Sequence, residues 1–357
     1  MHVFAIETSC DETAAAWVDS AQPLEKRILA QCVRSQIPLH QANQGVVPEI
    51  AARAHLEWLP LAVQQVMDES GQDLDKVDAI AATTGPGLIG GLTVGTSFAK
   101  SLSLASGKPF VAVNHLAGHA LSLRLSHDLR FPYLLLLVSG GHCQVLAVEG
   151  VGRYRRWGTT IDDAVGEAFD KVGRLLDLPY PGGPHLEALA RDGDPQAFAL
   201  PRPLRGQPGC DFSFSGLKTA VRRQIEQLDA PLTRLQRADL AASFQEAAAE
   251  SLADRARQAM IRFRAEYGGP GVLAVAGGVA ANHSIRNALA QEAAAADFAY
   301  AAAPLALCGD NAAMIAWAAL EQLEAGGSAS PLDTLCRPRW PLDPEAAASR
   351  FAGAAKA

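Results

Sequence analysis

The sharpest chemical signal in the chain is a pair of histidines four residues apart, His115 and His119, in the string His-Leu-Ala-Gly-His. On a helix, residues i and i+4 share one face, so both imidazoles can reach a single metal ion. Two ordinary histidines, one buried and one at the surface, would give the same string. The zinc-protease pattern requires Glu directly after the first His as general base. Leu116 stands there, so that chemistry lacks its catalyst. A third ligand must come from far along the chain. Asp310, in Gly309-Asp310-Asn311 ahead of a helical stretch, is the candidate, although an Asp in such a place is ordinarily an N-cap. Two imidazoles and one carboxylate with open positions suit iron(II) first, with zinc as the alternative. An open position lets a substrate oxygen bind and be polarised.

A second set of signals is rich in glycine. Ser139-Gly140-Gly141 and Gly277-Gly278, the latter leading to Asn282, each follow a strand-like run. Without Cβ atoms, backbone N–H groups can approach phosphate oxygens closely, and a helix start beyond the turn favours an anion. One such turn alone is no more than a tight turn, and neither the Walker nor the dinucleotide pattern is present. Pro181-Gly182-Gly183-Pro184 is a rigid turn able to pass close to a ligand. The run Glu7 to Thr13 places Asp11 and Glu12 on a polar tip, where they could orient a metal, a phosphate or a nucleophile, or only meet solvent. Asp170 ends an amphipathic stretch and could accept a hydrogen bond from a ligand hydroxyl, or be a surface acid. Phe212 to Lys218 reads as a substrate-facing loop or as core.

The elements that must position these residues form an α/β pattern. Val3–Ile6, a polar tip and Ala14–Val18 read as a hairpin; Tyr133–Val138, Ser139–His142 and Gln144–Val148 repeat it, which implies an internal duplication. Helical signals cover Val46–Glu69, Leu92–Ala105, Asn114–Leu125, Asp162–Leu176 and the long Ala238–Tyr267, read as one helix or as a broken one. Two similar lobes would leave a cleft with both hairpin tips pointing into it. The division expected is an N-terminal lobe of residues 1–125, a C-terminal lobe of 126–324 with a helical insertion at about 185–265, and a tail at about 325–345 packing back on the first lobe. The Ala-rich end beyond reads as frayed.

The chain has 357 residues with 31 Lys plus Arg against 38 Asp plus Glu, for a net charge of -7. Bulk charge therefore opposes nucleic-acid binding, and a basic patch or a partner would have to supply attraction. The patches on offer are Arg153–Arg156, Arg222-Arg223 and Arg255–Arg264. Six scattered cysteines without Cys-x-x-Cys exclude a zinc ribbon and fit a reducing, cytoplasmic setting. An acid at position 7 comes too early for a signal peptide, and no apolar stretch approaches the ~20 residues needed to span a bilayer.

Taken together, the ordered strings Ile6–Thr13, Gly45–Glu49, Gly85–Leu88, His115–His119, Leu137–His142, Gly166–Lys171, Tyr180–Pro184, Phe212–Lys218, Ala276–Val279, Asp310-Asn311 and Arg337–Pro341 resemble the tRNA adenosine threonylcarbamoyltransferase family, formerly called O-sialoglycoprotein endopeptidases. The resemblance covers nearly the whole chain. It implies an actin/Hsp70/sugar-kinase type of fold with two duplicated lobes. It implies transfer of threonylcarbamoyl from threonylcarbamoyl-adenylate to the exocyclic amine of the adenosine 3′ of the anticodon, in tRNAs reading codons that begin with A, with release of AMP. It places one divalent metal on His115, His119 and Asp310. Leu137, Val138, Ser139, Gly140, Gly141, Asp170, Gly183 and Asn282 would line the nucleotide and acyl-adenylate site. Asp11 and Glu12 would handle a proton or orient the substrate. The partners it implies are tRNA, a degraded paralogue (TsaB) and a small ATPase (TsaE), with no membrane. Three departures stand out: Gln44 and Ala280 replace a usual Gly and Ser, and Asn114 stands where a further His is frequent. The competing readings are an ATPase or kinase of the same fold, and a non-catalytic scaffold paralogue; the latter predicts lost metal ligands.

Overall fold

The computed structural model describes residues 1–228 and 231–346, so the Ala-rich end lies outside the described residues. The first lobe opens with three antiparallel strands, β1 (His2–Glu7), β2 (Glu12–Asp19) and β3 (Ile28–Ser35). A short turn of helix, α1 (Ile37–His40), and the long α2 (Pro48–Ser70) follow. Then come β4 (Ala79–Gly85), α3 (Ile89–Ser106), β5 (Phe110–Asn114) and α4 (His115–Ser126). β4 pairs parallel to β1, and β5 parallel to β4, giving the order β3-β2-β1-β4-β5.

The second lobe repeats the plan. β6 (Tyr133–Val138), β7 (Cys143–Gly150) and β8 (Arg153–Thr159) are antiparallel neighbours. Four helices intervene: α5 (Val165–Leu175), α6 (Gly182–Ala190), α7 (Ser215–Gln227) and α8 (Arg234–Tyr267). β9 (Val272–Ala276), α9 (His283–Ala295) and β10 (Ala299–Ala302) complete the sheet, with β9 parallel to β6 and β10 parallel to β9. Its order, β8-β7-β6-β9-β10, matches the first sheet strand for strand.

Both central strands are buried on both faces, which explains their continuous apolar runs. In β1, Val3 and Ala5 face one core with Met314, Ile315 and Trp317, while Phe4 and Ile6 face the other with Leu59, Ala62 and Ala99. Met314 to Trp317 belong to α10 (Ala312–Glu324), which corrects one expectation. Residues 312–324 fall within the second lobe expected from the sequence, but α10 packs on β1, β2 and α4 of the first. The run Ala312–Leu320 is apolar on every side and must be buried, but its sequence does not say against which sheet.

Three local readings also change. α8 runs unbroken from a Thr233 cap, whose hydroxyl accepts from Gln236 N at 3.2 Å, to Gly268 in the left-handed region. Phe212 and Phe214 are core, and Ser215 starts α7, held by Asp162, which accepts from Phe214 N at 2.8 Å and Ser215 Oγ at 2.7 Å. The stretch Asp162–Leu176 becomes helical only at Val165. After α10 the chain turns back along the first lobe: Ser330 N donates to Phe110 O at 2.7 Å and Arg337 N to Thr84 O at 2.7 Å. It then reaches the second lobe, where Asp343 accepts from Arg156 N at 2.8 Å. Among the described residues no helix is long and apolar enough to cross a membrane.

Candidate functional site

α4 lies between the two lobes. Leu121 and Leu125 sit in the core of the first and Leu116, Ala117 and Ala120 in that of the second. Its first turn carries His115 and His119, with ring centroids 4.8 Å apart and planes at 89°. Asn114 fixes the start of the helix: its Oδ1 accepts from Leu116 N at 2.8 Å and Ala117 N at 3.3 Å. Asp310 arrives from the loop before α10. The N-cap of that helix is not Asp310 but Asn311, which accepts from Met314 N at 2.9 Å. Asp310 is thereby released from capping, and its Oδ1 lies 3.1 Å from His119 Nε2 and 3.5 Å from His115 Nε2. One ligand atom from each of the three lies within 4.8 Å of the others, so the donor set fits one small divalent ion.

The electrostatics point the same way. Burial alone would lower the His115 pKa, but the Asp310 and Glu7 carboxylates outweigh it and hold it well above the usual imidazole range. Burial would raise the carboxyl of Asp310, yet His115 and His119 hold it well below the usual carboxylate range. The cluster is thus built around positive charge, whether proton or metal. Glu12 behaves in the opposite way: burial, then the neighbouring Asp11 and Asp310, push its carboxyl well above the usual range.

A cleft of about 960 Å³ opens from this cluster. Ser9 to Glu12, Pro86 to Gly90 and Asp310 line it from the first-lobe side, and Ser139 to His142, Asp170, Gly183, Gly278 and Asn282 from the other. The tight turn between β6 and β7 is closed by Ser139 N donating to His142 O at 2.8 Å and His142 N to Ser139 Oγ at 3.1 Å. Gly277 has φ +97°, and a Cβ there would meet Val138 O at 2.3 Å, so glycine is required. Gly140, Gly141, Gly183 and Gly278 differ: a Cβ on any of them would meet nothing within 4 Å. Protein packing does not demand glycine at these four, whereas a close-fitting ligand in the cleft would. Asp170 caps α6, accepting from Gly182 N at 2.7 Å, and burial raises its pKa. Asn282 caps α9 through Ile285 N at 3.0 Å.

Of the residues expected at the site, Asp11, Glu12, Ser139, Gly140, Gly141, Asp170, Gly183, Asn282, His115 and Asp310 all line the cleft, and His119 lies buried behind it. Leu137 and Val138 do not: their side chains are wholly buried in the second sheet, where they pair with Gln144 and Cys143 and set where the Ser139 turn begins. The basic patches fare unevenly. Arg255 is buried against Asp254, and Arg155 is engaged by Glu266 at 2.7 Å, so neither is a free cation. Sequence reasoning did not single out Glu7, wholly buried behind His115, or Arg339, the one arginine or lysine among the described residues lining the cleft. The advance signals of Glu7 are its membership of the acidic run Glu7 to Thr13 and its place at the end of an apolar strand.

Paired sheets of identical order around a glycine-lined cleft define an α/β protein of the actin-like class, and solved structures agree on that fold. HypF from T. kodakarensis superposes with a TM-score of 0.62 at 16% identity, over 92% of this chain and 49% of that one. The activator of the 2-hydroxyisocaproyl-CoA dehydratase from Clostridium difficile, with bound ADPNP, gives 0.50 at 12% identity, over 91% and 97%. At the level of sequence, the profile described as "TsaD: tRNA N6-adenosine threonylcarbamoyltransferase" matches residues 27–317. A Rhodospirillum rubrum protein named tRNA N6-adenosine threonylcarbamoyltransferase is 57% identical over 357 residues, 99% of this chain and 98% of its own. The chain belongs to the tRNA N6-adenosine threonylcarbamoyltransferase family.

Proposed function

We propose that this chain transfers the threonylcarbamoyl group from threonylcarbamoyl-adenylate to the exocyclic amine of the adenosine 3′ of the tRNA anticodon, releasing AMP. The observation that carries this reading is the meeting of His115, His119 and Asp310 at one wall of a cleft whose opposite wall carries four glycines that protein packing does not require. In the reaction the bond between carbamoyl carbon and phosphate oxygen breaks, a bond from adenine N6 to that carbon forms, and N6 gives up a proton. One divalent cation on the three ligands, iron(II) first and zinc as the alternative, would supply Lewis-acid charge beside the acyl group. The amides of the Ser139–Gly141 turn and the Gly278 loop hold and orient the phosphate end of the donor. Asp170 and Asn282 meet the adenylate hydroxyls, and Gly183 leaves it room.

Asp11 and Glu12 stand opposite the glycine turns and handle the N6 proton or orient the amine. The adenine leaves the anticodon-loop stack to reach them. With a net charge of -7 on the chain, partners carry much of the tRNA contact, namely the degraded paralogue TsaB and the ATPase TsaE, in the cytoplasm.

The test is reconstitution with those partners, synthetic threonylcarbamoyl-adenylate and unmodified tRNA. Modified adenosine is expected from the parent chain, and none from His115→Ala or Asp310→Ala with unchanged far-UV circular dichroism. Full yield from both variants would remove the cluster from the mechanism. Steady ATP turnover without tRNA or donor would instead favour an ATPase.

A further inference from the structure

Glu7 ends β1, and no part of it reaches solvent. A buried carboxylate is costly unless charged partners and hydrogen bonds compensate it. Both of its oxygens are engaged. Oε1 accepts from Ser9 N at 2.5 Å, and Oε2 accepts from the Thr83 hydroxyl. Oε2 also lies 3.1 Å from His115 Nδ1, and the Ser9 hydroxyl stands 3.2 Å from the same nitrogen. The other ring nitrogen of His115, Nε2, faces Asp310 Oδ1 at 3.5 Å. The imidazole is therefore gripped on one edge and presented to the cleft on the other.

His119 is held less firmly. Its Nε2 also meets Asp310, but its Nδ1 is buried without a hydrogen-bond partner among the described residues. The two histidines of the cluster are thus supported unequally, and the support for the more exposed one comes from a different element, the strand β1.

We propose that Glu7 is a positioning residue for the metal centre: it keeps the proton of His115 on Nδ1 and the ring in one rotamer, so that the Nε2 lone pair points at the cation shared with His119 and Asp310. The inference rests on the metal reading above. A carboxylate behind a metal-bound imidazole fixes its tautomer and raises its basicity as a ligand. Thr83 on β4 and the Ser9 amide fix the carboxylate in turn, so two strands of the first sheet and the start of α4 are tied to one ligand atom.

The experiment is titration of the chelator-treated full-length chain with cobalt(II), followed by its visible absorption and by competition with a chromogenic chelator. Glu7→Gln is expected to weaken cobalt binding by about 10- to 100-fold and to change the cobalt spectrum. His115→Ala serves as the reference for a lost ligand. Thr83→Val, close in shape and well suited to a strand, carries the test if Glu7→Gln fails to fold. It leaves Glu7 in place with one anchor fewer, and a loss of about three- to tenfold is expected. Cobalt affinity in Glu7→Gln or a folded Thr83→Val equal to that of the parent, with His115→Ala impaired, overturns the role of Glu7 alone. Equal affinity in the parent and His115→Ala overturns the metal reading itself, and the role of Glu7 with it.

Discussion

Glu12 shows how far a single side chain can be read from its surroundings. Burial, Asp11 and Asp310 all disfavour its charge, so the folded state binds its proton more tightly than the unfolded chain does. The sign follows: a raised folded pKa contributes stability that is present below the ordinary Glu range and is lost as pH rises through the folded pKa. Glu12→Gln cannot ionise. In chelator-treated protein its melting temperature is expected to exceed the parent's at pH 8, with the two curves converging below about pH 4. Parallel curves across that range, followed by scanning calorimetry, would contradict the assignment. Legibility at this scale was uneven. The histidine pair was visible because four residues make one helical turn and a little more. Asp310 was visible only as an alternative to an N-cap, and the ambiguity dissolves because Asn311 takes that role. Glu7 was hidden, since a polar string does not disclose which of its members is buried.

Elements reach the site through close approaches that a sequence does not announce. α3 passes so near the first hairpin tip that a Cβ at Gly91 would lie 2.2 Å from Thr8 O and 3.1 Å from the His55 ring. The Thr8 hydroxyl donates to Gly91 O at 2.9 Å, and Leu88 N donates to Ser9 O at 2.8 Å, so the tip holding Asp11 and Glu12 is moored to the start of that helix. Gly91→Ala is expected to cost about 1–3 kcal/mol by overpacking, read from its urea midpoint. An unchanged midpoint would mean that α3 is not tightly seated. Gln44, where the resemblance has glycine, takes φ 51° in the left-handed region, so the departure from the family string is paid for in backbone strain and not at the chemistry. Both hairpins were legible from period and polarity. β3, β8 and β10 were not: β8 reads as a basic cluster, because Arg153, Arg155 and Arg156 put charge on an edge strand.

At the scale of the molecule, the chain passes between the two lobes three times, through α4, through the loop before α10 and through the segment after α10. Asn114, which caps α4, also donates from Nδ2 to Trp340 O at 2.9 Å, and Gly87 N donates to Pro338 O at 3.2 Å. These bonds fix the chain on either side of Arg339 and deliver its cation to the rim of a cleft that otherwise presents Asp11, Glu12, Glu49, Asp170, Glu187 and Asp310. On the reading proposed above, an anionic donor would need that cation, and a metal on the three ligands, to enter such a field. Arg339→Ala is expected to raise the KM for threonylcarbamoyl-adenylate by about tenfold with a smaller change in kcat, and an unchanged KM would contradict this role. The duplicated plan was legible as two strand–turn–strand units, but the return of α10 to the first sheet was not, since the apolar run Ala312–Leu320 fits either core. The claim on which all of this turns is that His115, His119 and Asp310 hold one cation facing the glycine turns. Its most direct test is a crystal structure of metal-loaded protein with anomalous data collected across the metal edge. One anomalous peak per chain is expected at about 2.0–2.2 Å from both Nε2 atoms and an Asp310 oxygen. A peak bound elsewhere, or none in protein that carries stoichiometric metal, would contradict the account.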